Sequence, residues 1–194
     1  MANSPARRQH GLTARSVFLG LILSLAPCVF SAPPPFTAAE DMPVDGDSQG
    51  SMFRRIFSYD KHLRNSDKIV VIVVCASRES KEVTAIVEAF REKDLYPAPV
   101  NVENLTEDLV ATLTAESTVI YIMPGVDYVA VNTFTERHGM LSVSGLPSIV
   151  EAGHASVGMD LYEKKPRIVV NIPRLQTEGH ELSAELLNIA RIIR

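Results

Sequence analysis

Cysteine is scarce in this sequence: Cys28 and Cys75 are the two in 194 residues. Cys28 falls in an apolar leader that export would remove. Cys75 alone can form neither an internal disulfide nor a thiol-rich metal site. It ends an apolar strand pattern and reads as a buried thiol. Long runs of one charge are also missing. Charged residues make up 22% and the net charge is −4. A basic face is what nucleic acid demands, so nucleic acid is excluded as a partner. Docking to anionic lipid is excluded on the same ground. A basic patch on a protein partner remains compatible with this acidity.

Enzyme signatures are absent too. No G-x-G-x-x-G follows a strand, and there is no phosphate loop, G-x-S-x-G or H-E-x-x-H. His62, His138, His154 and His180 are scattered without metal-ligand spacing. His180-Glu181 opens a helical pattern, but no second histidine follows at the needed distance. The expectation is a protein without metal, cofactor or catalytic residues.

What is there is 46% apolar residues, enough for one domain with a real core. Residues 1–32 carry Arg7, Arg8 and Arg15 and no acid, then the apolar run VFLGLILSLAPCVF, then Ser31 and Ala32. This is the pattern of a cleaved secretory signal peptide, and it implies export to the periplasm. Removal takes the net charge from −4 to −7. Residues 33–52, rich in Pro, Gly, Ser and acid, read as a flexible linker. A domain over 53–194 follows.

That domain begins with an amphipathic helix on Phe53, Ile56, Phe57 and Leu63. Ile69–Val74 is a β-branched run suited to a central strand covered on both faces. Val83, Ile86, Val87 and Phe90 form the stripe of a covering helix. A short strand near 100–102 and a helix capped by Thr106 come next. Val119–Met123 and Met140–Ser144 are further strands, separated by a helix on Val126, Val129, Ala130 and Phe134 that ends near Gly139. Alternation of this kind predicts a single α/β domain, a mostly parallel sheet with helices on both faces. Runs 155–162 and 167–172 read as an antiparallel hairpin at a sheet edge. A closing helix carries Leu182, Leu186, Ile189 and Ile193.

In open sheets of this type, ligands bind beyond the carboxyl ends of the strands. That edge gathers Ser77 and Arg78, then Gly125 and Asp127, then Ser144. They are candidate ligand-binding residues, with Arg78 suited to a carboxylate or phosphate. The first helix offers a candidate partner surface on Phe53, Arg54, Phe57 and Tyr59. Packing on the sheet is the competing role for that helix.

The second half carries a recognisable order of features: a strand ending in Leu141-Ser142-Val143-Ser144, then Glu151-Ala152-Gly153. A strand and turn follow, then Ile168-Val169-Val170-Asn171, then a closing Leu182-Ser183-Ala184-Glu185-Leu186-Leu187-Asn188-Ile189-Ala190. In this order, residues 53–194 resemble the YfiR/HmsC-like family of periplasmic regulators. The resemblance implies a periplasmic α/β protein, commonly a homodimer, that represses a membrane diguanylate cyclase through its periplasmic sensor region. It transfers no catalytic residues. Two departures stand out. The mature chain keeps only Cys75, so redox control through an internal disulfide is not expected. The segment Phe53–Leu63 also lacks the Trp-Pro opening of many members, which leaves another sensor, such as a histidine kinase, open as partner. A small-molecule binding module resembling one lobe of a solute-binding protein is the alternative reading.

Overall fold

The structure, a computed structural model, describes residues 42–194. The export signal read over 1–32, and 33–41 of the linker, lie outside them. Chain order is α1 (Gly46–Phe57), β1 (Val70–Cys75), α2 (Lys81–Arg91), β2 (Tyr96–Asn101), α3 (Glu107–Val110), β3 (Thr118–Ile122) and α4 (Tyr128–His138). Then come β4 (Leu141–Ser144), α5 (Pro147–Glu151), β5 (Val157–Tyr162), β6 (Lys165–Asn171), α6 (Ile172–Thr177), α7 (Ala184–Leu187) and β7 (Arg191–Ile193). The seven strands form one sheet in the order β2-β1-β3-β4-β5-β6-β7. All neighbours pair in parallel except β5 with β6. The α/β class and mostly parallel sheet expected from the sequence are therefore present, with core on both faces.

The central strands follow from their residues. Val71 to Cys75 and Val119 to Ile122 are all buried, as β-branched runs covered on both faces must be. The outer strand β2 carries Pro97 and Pro99. Tyr96 donates its N–H to Ile69, so Tyr96, Ala98 and Val100 face β1 and the two prolines face outward. Prolines there close the edge to strand addition.

Helix α1 corrects the linker expectation. The helix starts at Gly46, inside the segment read as linker, and the Asp45 carboxylate caps it by accepting from Ser48 N–H at 2.9 Å. Gly46 and Gly50 looked like linker glycines. Gly50 is instead a close-approach position: a Cβ there would lie 2.7 Å from the Ala89 carbonyl of α2. Phe53 and Phe57, expected as partner-facing residues, are 0% exposed. They stack at 6.0 Å, and Phe53 meets Phe90 and Tyr121 edge-on at 6.1 and 5.8 Å. Burying each ring stabilises the fold by roughly 1.5–3 kcal/mol. Below this cluster the buried Tyr121 hydroxyl donates to Gln49 Oε1 at 2.7 Å, and Gln49 donates to the Val44 carbonyl.

The last third departs most from expectation. The β5–β6 hairpin forms, but β5 pairs in parallel with β4 through the short crossover helix α5. The hairpin is not the sheet edge, because β7 adds to β6. The expected closing helix shrinks to one turn, capped by Ser183. Arg191–Ile193 then pairs with the outer edge of β6, since unpaired strand backbone and β-branched residues favour sheet over further helix. The helix after Thr106 is likewise a single turn, and the Thr106 side chain does not cap it.

Gly158 is where the packing of β5 is tightest. A Cβ there would lie 2.5 Å from Val150 Cγ2 and 2.8 Å from the Ser144 carbonyl. Gly158→Ala is expected to destabilise by about 1–3 kcal/mol, read as a lower urea midpoint at unchanged slope. Gly46→Ala meets only ordinary contacts at 3.5 Å or more and should be neutral or stabilise by up to about 1 kcal/mol. Equal midpoints for the two variants would refute this account.

Candidate functional site

The order β2-β1-β3 places a topological switch between β1 and β3, where open sheets of this kind bind ligands. Ser77 and Arg78 follow β1 and are exposed, as are Gly125 and Asp127 after β3. Arg78 forms no hydrogen bond or ion pair with a described residue, so its guanidinium is free to take an anion. Asp127 is already engaged: one carboxylate oxygen caps α4 by accepting from Val129 and Ala130 N–H at 3.0 and 3.1 Å. Gly125 has φ +79°, which a side chain tolerates poorly, and its N–H donates to the Tyr128 hydroxyl. Ser144, the last residue of β4, lies at the same carboxyl edge, but its side chain is not open to a ligand. It is buried, donates to the Ile122 carbonyl at 2.9 Å and accepts from Leu146 N–H at 3.2 Å. Four of the five candidates thus flank the switch, and the fifth ties β4 to β3.

A second concavity lies between α1 and the end of the sheet. It has a volume of about 340 Å³. Met52, Arg55 and Ile56 of α1 and Tyr59 just beyond it form one wall, Pro166, Arg167 and Ile168 of β6 the floor, and Leu186 and Ile189 the far wall. Ile189 is 68% exposed. Of the four partner-surface candidates, Tyr59 lines this groove. Arg54 is half-buried on α1, and the other two are core. The groove was hidden at the sequence level because Leu186 and Ile189 read as one buried helical stripe.

The buried charges sit elsewhere, near the amino ends of the central strands. Arg174 donates to Glu178 Oε1 at 3.2 Å, to the Thr135 hydroxyl at 2.6 Å, to the Asn132 carbonyl, and to Glu136. Glu178 Oε2 accepts from Ser142 N–H at 2.9 Å and from the Ser156 hydroxyl at 2.5 Å. These groups are satisfied by one another.

Asp60 and His180 form a second buried pair, 0% and 5% exposed. His180 Nδ1 lies 3.0 Å from Asp60 Oδ2, and Nε2 lies 3.1 Å from the Gly139 carbonyl. Both partners are acceptors, so both ring nitrogens must donate, which is the imidazolium form. Burial pushes the His180 pKa down. The hydrogen bond and charge of Asp60, with the Gly139 carbonyl and Glu178, outweigh it and hold the pKa above 6.5. Burial likewise pushes Asp60 up, but His180 and the N–H groups of Leu63 and His62 hold it below 3.8. No motif announced this pair, whose members are 120 residues apart.

Comparison with family models gives no match, and comparison with curated proteins gives none. A solved structure of the ABC domain in complex with L-Trp from Streptococcus pneumonia is similar, with TM-score 0.54 and 13% identity over 77% of this chain. This chain covers 62% of that one, less than two thirds of its length. The likeness is one of fold.

The pair makes stability depend on pH with a defined sign. His180 has a raised folded pKa, so its contribution is full below the unfolded value near 6.5 and is lost as pH rises through the folded value. Asp60 has a lowered pKa, so its contribution is lost only as pH falls below 3.8. Unfolding free energy should therefore decline from pH 6.5 upward in urea titrations. His180→Gln should remove that decline and cost about 3–5 kcal/mol near pH 6, because it strands the Asp60 carboxylate. The same decline in His180→Gln would refute the assignment.

Proposed function

We propose that the chain is a periplasmic regulatory protein that binds the extracytoplasmic domain of a membrane signalling enzyme, such as a diguanylate cyclase, and represses it. The observation that carries this reading is the groove beside α1. Its walls are apolar, an isoleucine stands exposed at its rim, and no nucleophile or acid–base pair lines it. A surface of that kind suits side-chain contact with another protein. The resemblance of residues 53–194 to the YfiR/HmsC-like regulators supports the class of partner. The export signal read over 1–32 supports the compartment.

A second reading, a small-molecule binding module, is favoured by one observation: the free, exposed Arg78 at the switch between β1 and β3. The fold's likeness to a structure solved with L-Trp gives that reading a ligand class to try. A single lobe cannot close over a ligand, so this module would need a second surface to bury it.

The test is capture. Tagged protein recovered from the periplasmic fraction is expected to retain a diguanylate cyclase or sensor kinase from solubilised inner membranes, and Ile189→Asp should lose at least tenfold of that capture. Added to the partner, the protein should lower its cyclase output. Absence of capture by folded protein would retire the regulator. Amino-acid binding that Arg78→Ala abolishes would put the second reading in its place.

A further inference from the structure

We infer that the groove beside α1 is a helix-docking site, and that its occupant is an amphipathic helix of the partner protein carrying acidic residues along one flank. The inference rests on the regulator reading and adds the kind of element it grips.

The face of the sheet that α1 covers is built from side-by-side helices. Helix α2 lies over β1 and β2, and α1 packs beside it with Phe53 on Tyr121 of β3. Packed helices lie about 8–10 Å apart, so this face has room for a third over β6. Among the described residues, the helix that lines the groove there is α7, four residues long. Four helical residues span about 6 Å. Strand β6 has seven residues, which span about 23 Å. Its first half, with Pro166 exposed and Ile168 half-buried, has no covering helix among the described residues. Leu161 pairs with Pro166 and is itself 45% exposed. Cross-strand partners share a face, so it extends the apolar strip. The uncovered stretch matches two to three turns of helix.

Charge decides which helix. Two arginines and no acid line the groove. Arg167 is neutralised by Asp160 Oδ2 at 2.7 Å and lies across the Tyr162 ring. Arg55 is exposed and its guanidinium has no partner among the described residues. Arg54, one position earlier on α1, makes no ion pair either. A carboxylate on the incoming helix would meet Arg55 at the rim, and a cationic helix would be repelled. Strand addition is not what the groove offers, because its floor runs past Pro166, which lacks an N–H.

The probes are two labelled 14-residue helix-favouring peptides, identical in an apolar stripe and differing only in Glu or Lys along its flank. Fluorescence anisotropy with the purified full chain is expected to register the Glu peptide at least tenfold more tightly. Ile189→Asp should abolish that binding, and Arg55→Glu should invert the preference. Circular dichroism checks that both variants are folded. Equal binding of the two peptides, binding of neither, or indifference to both substitutions would overturn the inference. If the wild-type protein still captures its membrane partner in those cases, the regulator reading survives and only the helix is lost. If capture fails while the Glu peptide binds, the regulator reading falls and the groove's preference stands. A dimer in sedimentation that Ile189→Asp dissociates would name a second copy as the occupant and also overturn the inference.

Discussion

His180 faces two acceptors, the Asp60 carboxylate and the Gly139 carbonyl, in a place sealed from water. The contact joins the exit of the first helix to the approach to β4 and to the last third of the chain. Around it the backbone makes a short two-stranded clasp. Lys61 N–H donates to the Glu181 carbonyl, Ser183 N–H donates to the Tyr59 carbonyl, and Asp60 bridges to Leu182. Without the buried pair, α1 would be held at this end by those bonds, by the exposed Lys61–Glu181 ion pair and by its apolar stripe. Because Tyr59 and Leu186 stand on opposite walls of the groove, the same clasp fixes the groove's width. The position of a surface groove thus depends on a buried charge contact.

Neighbouring Glu178 is a second buried carboxylate, and both of its oxygens are engaged. It receives Arg174 on one oxygen and the Ser142 N–H and Ser156 hydroxyl on the other. A carboxylate buried to 1% exposure is tolerated only when its acceptor sites are filled in this way. Arg174 in turn binds the Asn132 carbonyl and Thr135 hydroxyl of α4. The network therefore fastens α6 to α4 and to the first residues of β4. The charged core is a set of ties between elements far apart in sequence, and none of these buried charges lines the apolar groove.

How much of this could be read in advance follows from the range of each interaction. Ile69–Val74 and Val119–Met123 announced central strands because burial on both faces imposes β-branched and apolar residues locally. Asp127 was legible as a group at the carboxyl edge, though its capping of α4 was not distinguished from ligand binding. Gly50 misled, because a glycine chosen for close approach to Ala89 looks in sequence like a glycine chosen for flexibility. Phe53 and Phe57 misled similarly: a stripe that could face a partner faces Phe90 and Tyr121 instead. Ile189 to Ile193 continued a helical period that the free edge of β6 overrides. Asp60 and His180 left no local trace.

The edges and faces of the sheet together narrow how this protein can be recognised. A sheet offers a partner two routes, hydrogen bonding along an edge strand or packing on an uncovered face. Pro97 and Pro99 deny the first along β2, since their outward positions lack donors and hold a pyrrolidine ring where a new strand would lie. At the other end β7 is only three residues long, too short to template a stable extension. Pro166 removes a donor from the stretch of β6 that β7 does not reach. What remains is packing, and among the described residues the strip from Leu161 through Pro166 and Ile168 to Ile189 is an apolar surface open to it. Selectivity in such contact must come from shape and from Arg55 at the rim, because the groove walls hold few other polar groups. Apolar area would supply the affinity and the Arg55 guanidinium the discrimination between partners.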